Sequence, residues 1–133
     1  MITCLDTNVI LDVVMDDPKH AEQSHALLRE AYNSGPLVIC EVVYAELAPQ
    51  YETKSDLDSA LSVLGIAILE GGTDVAYLAG RKWAEYRMAG GRRERLLPDF
   101  VIGAYALLRT DLLLTRDRGF YGSYFPELEL MGG

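Results

Sequence analysis

Short apolar runs that alternate with helix-forming stretches along the whole chain restrict its fold more than any other feature. The runs at 2–5, 37–40, 66–69 and 112–115 read as strands, that at 37–40 as a buried one, and 128–131 reads as a last edge strand. Between them, apolar periodicity predicts helices at about 7–15, 19–33, 41–48, 55–64, 74–89 and 98–109. Punctuation agrees with these limits. Ser34-Gly35-Pro36, Pro49 and Gly90-Gly91 stop helices, Pro98 suits a first helical turn, and Ser55 or a neighbour and Thr73 or Asp74 are candidate caps. Strands joined through helices call for right-handed crossovers, so the expected class is α/β, a largely parallel sheet with helices on both faces. At 133 residues the chain is expected to form one domain over 1–133 and to bury about two-thirds of its unfolded surface.

In such a sheet, ligands bind beyond the carboxyl ends of the strands. Asp6 follows the first strand run and Asp117 the run at 112–115, while Glu46 and Asp99 stand on predicted helices. If these four carboxylates converge, each pair at ~4 Å repels by about 4 kcal/mol at an effective dielectric near 20, so a cation is needed. Oxygen-only donors suit magnesium or manganese. Taken singly, each acid has an ordinary structural role. Asp6 could cap the helix starting at Thr7, Asp99 could complement a helix dipole, Asp117 could form an Asx-turn before Gly119, and Glu46 could be a solvated helix residue.

A net charge of −8 argues against nonspecific coating of nucleic acid, which needs a broad basic face. Six of the twelve Lys and Arg residues nevertheless fall between 81 and 95. Arg81, Lys82 and Arg87 read as the wet face of a helix, whereas Arg92, Arg93 and Arg95, next to Gly90-Gly91, suit a loop that clamps phosphates. Cys4 and Cys40 lie in strand patterns as small core residues, with neither a disulfide nor a zinc site expected. No run approaches the ~20 apolar residues of a membrane span, and no signal segment opens the chain, so a soluble cytosolic protein without membrane contact is expected. Asp12, Asp16 and Asp17 read as a solvated helix end, His20 and His25 as surface residues, and Tyr77, Trp83 and Tyr86 as core or dimer-interface residues.

The segments Asp6-Thr7-Asn8-Val9-Ile10-Leu11-Asp12, Val43-Tyr44-Ala45-Glu46-Leu47, Pro98-Asp99-Phe100-Val101-Ile102-Gly103-Ala104 and Leu114-Thr115-Arg116-Asp117-Arg118-Gly119-Phe120 resemble the four motifs of the PIN domain, and of VapC-type toxins in particular. Motif order and spacing agree over nearly the whole chain. The resemblance implies a five-stranded parallel sheet and a ribonuclease dependent on Mg2+ or Mn2+. It makes Asp6, Glu46, Asp99 and Asp117 the catalytic quartet, with Asp6, Asp99 and Asp117 on the metal and Glu46 orienting the attacking water or a second ion. Asn8 and Thr115 would order the site, and Arg116 and Arg118 would flank its rim beside Arg92, Arg93 and Arg95 as RNA contacts. Cys40 departs from the pattern, because Ser or Thr often caps the helix bearing the glutamate.

Further implications are a homodimer, a small VapB-type antitoxin partner, a larger toxin–antitoxin assembly, and an antitoxin segment lying in the groove with an Arg beside the acids. The RNA target would be single-stranded or looped, where bases are unstacked. Two other readings stay open at this level: a PIN-like nuclease of RNA processing or branched DNA, and a non-catalytic module whose acidic pocket receives a basic or metal-bearing partner.

Overall fold

The computed structural model describes residues 1–90 and 97–132. The run Thr3-Cys4-Leu5 and the run Leu37-Val38-Ile39 are buried at every position, as strands covered on both faces must be. They form β1 (Thr3–Leu5) and β2 (Leu37–Ile39), and with β3 (Ile66–Ile68), β4 (Leu112–Leu114) and β5 (Leu130–Met131) they build one sheet. Every pairing is parallel, and the strand order is β3-β2-β1-β4-β5.

Seven α-helices stand among the described residues: α1 (Thr7–Val14), α2 (Ala21–Ser34), α3 (Glu41–Leu47), α4 (Lys54–Leu64), α5 (Thr73–Met88), α6 (Leu97–Arg109) and α7 (Arg118–Tyr124). From β1 the chain steps outward to β2 and β3, then crosses back to β4 and steps the other way to β5. Right-handed crossovers in opposite directions put the two sets of helices on opposite faces of the sheet. The strand order reverses between β1 and β4, and there the connections leaving the two carboxyl ends diverge, opening a crevice.

Local differences from the sequence expectation have identifiable causes. Pro49 does not end the chain's helical path at once; α3 gives way to a 3-10 turn, Ala48–Gln50, that accommodates the proline. Thr53, not Ser55, caps α4, accepting the Asp56 amide at 3.1 Å. Neither Thr73 nor Asp74 caps α5, which starts after Gly72, a glycine with φ +87. Helix α7 has no counterpart among the predicted elements. Its seven residues include Gly119 and Gly122, poor helix formers, so local propensity gives little sign of it.

Packing supplies what propensity lacks. Phe120, Tyr121 and Phe125 are buried, and Phe100 of α6 meets Phe120 edge-on with ring centroids 5.2 Å apart. Tyr86 of α5 joins the group, 5.4 Å from Phe100 and 5.2 Å from Tyr124. Gly103 lets α6 approach Phe125, whose ring occupies the space a Cβ would need. Tyr77, expected in the core or at a dimer interface, is exposed at the surface, whereas Tyr86 is a core residue. Both cysteines are free and buried. No helix among the described residues is long and apolar enough to cross a membrane.

Candidate active site

Asp6 leaves β1 at the reversal of strand order, and its amide donates to the Leu114 carbonyl of β4 at 3.0 Å. The residue is 6% exposed. It caps α1, its Oδ1 accepting the Thr7 amide at 2.8 Å. Its other oxygen, Oδ2, accepts the Thr115 hydroxyl at 2.7 Å and the Asn8 side-chain amide at 3.3 Å. One carboxylate thus caps α1 and also receives the Thr115 and Asn8 side chains. Thr115 is fully buried at the end of β4, and its Oγ1 in turn accepts the Asp117 amide at 2.9 Å. One hydroxyl therefore ties the first acid to the segment carrying the last.

Glu46 reaches the same place from α3. Its Oε1 accepts the Thr7 hydroxyl at 2.6 Å, so Thr7, the first residue of α1, holds Asp6 through its amide and Glu46 through its hydroxyl. Asp99 lies in the first turn of α6, half-buried, and Asp117 sits at the amino-terminal boundary of α7, where it makes no side-chain cap bond. Asp99 and Glu46 act on Asp6 electrostatically, and Asp6, Asp99 and Asp117 all act on Tyr121. Burial pushes the Asp6 carboxyl up to about 6; bonds from Thr115 and Thr7 pull it down, and the charges of Asp99 and Glu46 raise it again. The crevice thus holds a concentration of negative charge.

The other residues singled out in the sequence divide differently. Cys40 occupies the cap position of α3 without a side-chain cap bond. Glu41 accepts the Gly71 amide at 3.2 Å and so braces the start of that helix. Arg118 donates to the Gly132 carbonyl at 2.6 Å. Arg87 lies over the Trp83 ring and Lys82 over Phe125, at 5.0 and 5.6 Å. Arg92, Arg93 and Arg95 lie outside the described residues.

The match to a known family decides the kinship. Residues 3–125 match the PIN domain. This chain belongs to the PIN-domain family. The fold agrees: VapBC2 from Rickettsia felis, solved bound to a promoter DNA fragment, matches with TM-score 0.73 at 20% identity, covering 99% of this chain and 98% of that one. VapBC-1 from nontypeable Haemophilus influenzae matches with TM-score 0.72 at 21% identity over 99% and 98% of the two chains. FitAcB from Neisseria gonorrhoeae matches with TM-score 0.67 at 22% identity over 98% and 96%. No curated protein matches the chain.

Does this PIN domain suit a divalent cation? Among the described residues, no three His, Cys, Asp or Glu side chains are arranged to hold a metal ion directly. The donors are nevertheless all oxygen, Asp6 is crowded by like charge, and the buried Asn8 Oδ1 has no hydrogen-bond partner. That combination fits a cation that keeps several waters between itself and its protein ligands, as magnesium does.

Two residues near the acids, Thr7 and Tyr121, carry no signal in the sequence, and a third, Asp12, has a different role from the one its pattern suggests. Thr7, between Asp6 and Asn8, fixes Glu46 through its hydroxyl. Asp12 is not a solvated helix end: it is 4% exposed, and it accepts the Ser24 hydroxyl at 2.6 Å and two bonds from Arg116. A lone acid inside the aliphatic run Val9-Ile10-Leu11-Asp12-Val13-Val14 is the signal that it needs a buried partner. Tyr121 stands one helical turn beyond Asp117. Its hydroxyl is buried without a hydrogen-bond partner; burial, then the charges of Asp6, Asp99 and Asp117, push it far above the ordinary phenol range.

A buried hydroxyl left unpaired destabilises, so Tyr121→Phe should stabilise the metal-free protein by about 1 kcal/mol in urea unfolding. A loss of stability of similar size would instead mean that the hydroxyl has a partner.

Proposed function

We propose that this PIN domain is an endoribonuclease dependent on magnesium or manganese, the toxin of a toxin–antitoxin pair acting in the cytoplasm. The observation that carries the reading is Asp6, a buried carboxylate locked by Thr7 and Thr115, whose proton affinity is raised first by burial and then by the charges of Asp99 and Glu46. Such a group is held in place at the expense of electrostatic repulsion that a cation would relieve. The VapBC complexes among the structural neighbours support the toxin assignment.

Asp6, Asp99 and Asp117 would hold the ion, in part through water. When bound, the ion lowers the pKa of a water and neutralises charge on the phosphate under attack. The chain's own groups do the rest. Glu46, oriented by Thr7, is the acceptor that aims the nucleophilic water, and Thr115 and Asn8 keep Asp6 turned toward the crevice. Arg118, Arg92, Arg93 and Arg95 are the candidates to bind the RNA backbone.

The partners in this reading are an RNA substrate, a second copy of the chain, and a small VapB-type antitoxin that covers the acidic crevice with a basic segment. The test is incubation of the antitoxin-free protein with pooled tRNA, rRNA and mRNA, with magnesium, manganese or EDTA. Discrete fragments are expected with either metal, none with EDTA, and none from Asp99→Asn. Cleavage that persists in EDTA would refute the mechanism. A folded protein that binds metal but cleaves nothing in the pool would favour a binding module.

A further inference from the structure

The guanidinium of Arg116, between the site residues Thr115 and Asp117, does not stand open to solvent as a free cation. Its Nε donates to Asp12 Oδ2 at 2.8 Å and its Nη2 to Asp12 Oδ1 at 3.1 Å, a two-pronged pair in which the Asp12 side chain is 5% exposed and that of Arg116 33%. A bidentate Arg–carboxylate pair fixes direction as well as distance, because the planar fork accepts only one arrangement. The Ser24 hydroxyl of α2 completes the acceptor's set at 2.6 Å.

The placement of the pair gives it a consequence for chemistry. Asp6 caps α1 and Asp12 lies further along the same helix. The segment Thr115-Arg116-Asp117 is thus fastened to α1 twice, by Thr115 to Asp6 and by Arg116 to Asp12. Thr115 itself is anchored through its amide to Met131 and receives the Asp117 amide on its hydroxyl, and the Arg116 fork adds a side-chain tie that sets how the residue between them faces α1. We infer that Arg116 is a positioning residue, clamped by Asp12 to hold Asp117 at its distance from Asp6, and not a contact to RNA.

The inference deepens the metal-nuclease reading and rests on it. Residues that orient ligands indirectly alter metal affinity by about 10- to 100-fold when changed. Lysine at 116 keeps the charge but cannot form the fork, and Asn at 12 keeps the shape but loses the charge. Calorimetric titration of the metal-free proteins with Mn2+ should therefore show Arg116→Lys and Asp12→Asn each weakened by about tenfold or more, with the double variant no weaker than the worse single one.

Ser24→Ala is the control for a purely structural role. It removes a bond to the same carboxylate but leaves the fork intact, and it should bind Mn2+ like the wild type. In cleavage assays the two clamp variants should lose kcat with KM unchanged. Wild-type Mn2+ affinity in both clamp variants, with KM raised in Arg116→Lys, would overturn the inference and make Arg116 an RNA contact. A wild-type protein that binds no Mn2+ would overturn the metal-nuclease reading and this role together, so the two failures are distinguishable.

Discussion

Replacing Asp6 with Asn is expected to lower RNA cleavage by on the order of 10³-fold and to flatten the pH dependence of the metal-free protein's stability. The first effect follows from the several kcal/mol of charge stabilisation that a metal site supplies. The second follows from the Asp6 carboxyl, which burial and neighbouring acids raise from 3.8 to about 6. Between those values the folded protein binds more protons than the unfolded chain, so stability falls as pH rises. The contribution is fully present below the lower value and is lost as pH passes the upper one. The difference corresponds to about 3 kcal/mol. Urea unfolding in EDTA should show the wild type losing about 2 kcal/mol relative to Asp6→Asn between pH 4 and pH 7. Parallel stability curves would contradict the account of Asp6.

The second large effect is on the fold beneath the site. Phe100 is fully buried, follows Asp99 directly, and contacts Tyr86, Phe120, Tyr124 and Phe125. Phe120 and Tyr124 belong to α7, the helix that starts just after Asp117. Removing the Phe100 ring leaves a cavity between the elements carrying these two acids. Phe100→Ala should lower stability by about 3–5 kcal/mol. Denaturant unfolding measures this. A change below about 1 kcal/mol would mean that the aromatic cluster does not hold α6 and α7 together.

Much of the sheet is legible in the sequence because β1 and β2 are covered on both faces, although Ala67 and Ile68 of the edge strand β3 are exposed. Buried runs such as Leu37-Val38-Ile39 have no polar positions to confuse the pattern. Asp6 and Asp117 stand just beyond β1 and β4, where the ends of the corresponding apolar runs indicated. Helix α7 was not legible, since Gly119 and Gly122 weaken its local signal and aromatic contacts from Phe100 of α6 maintain it. Asp12 was misread for a related reason. A one-dimensional reading takes an acid near Asp16 and Asp17 as part of a wet helix end, whereas its partner Arg116 arrives from more than a hundred residues away. Thr7 escaped notice because its function lies in the distance to Glu46, which spacing in sequence does not encode.

The measurement that bears most directly on the central claim is calorimetric titration of the metal-free protein with Mn2+ at pH 7, beside Asp99→Asn. If the four acids form a divalent-cation site, the wild type binds Mn2+ saturably, magnesium competes, and Asp99→Asn binds at least tenfold more weakly. Equal binding by the wild type and Asp99→Asn, or none by either, would contradict it.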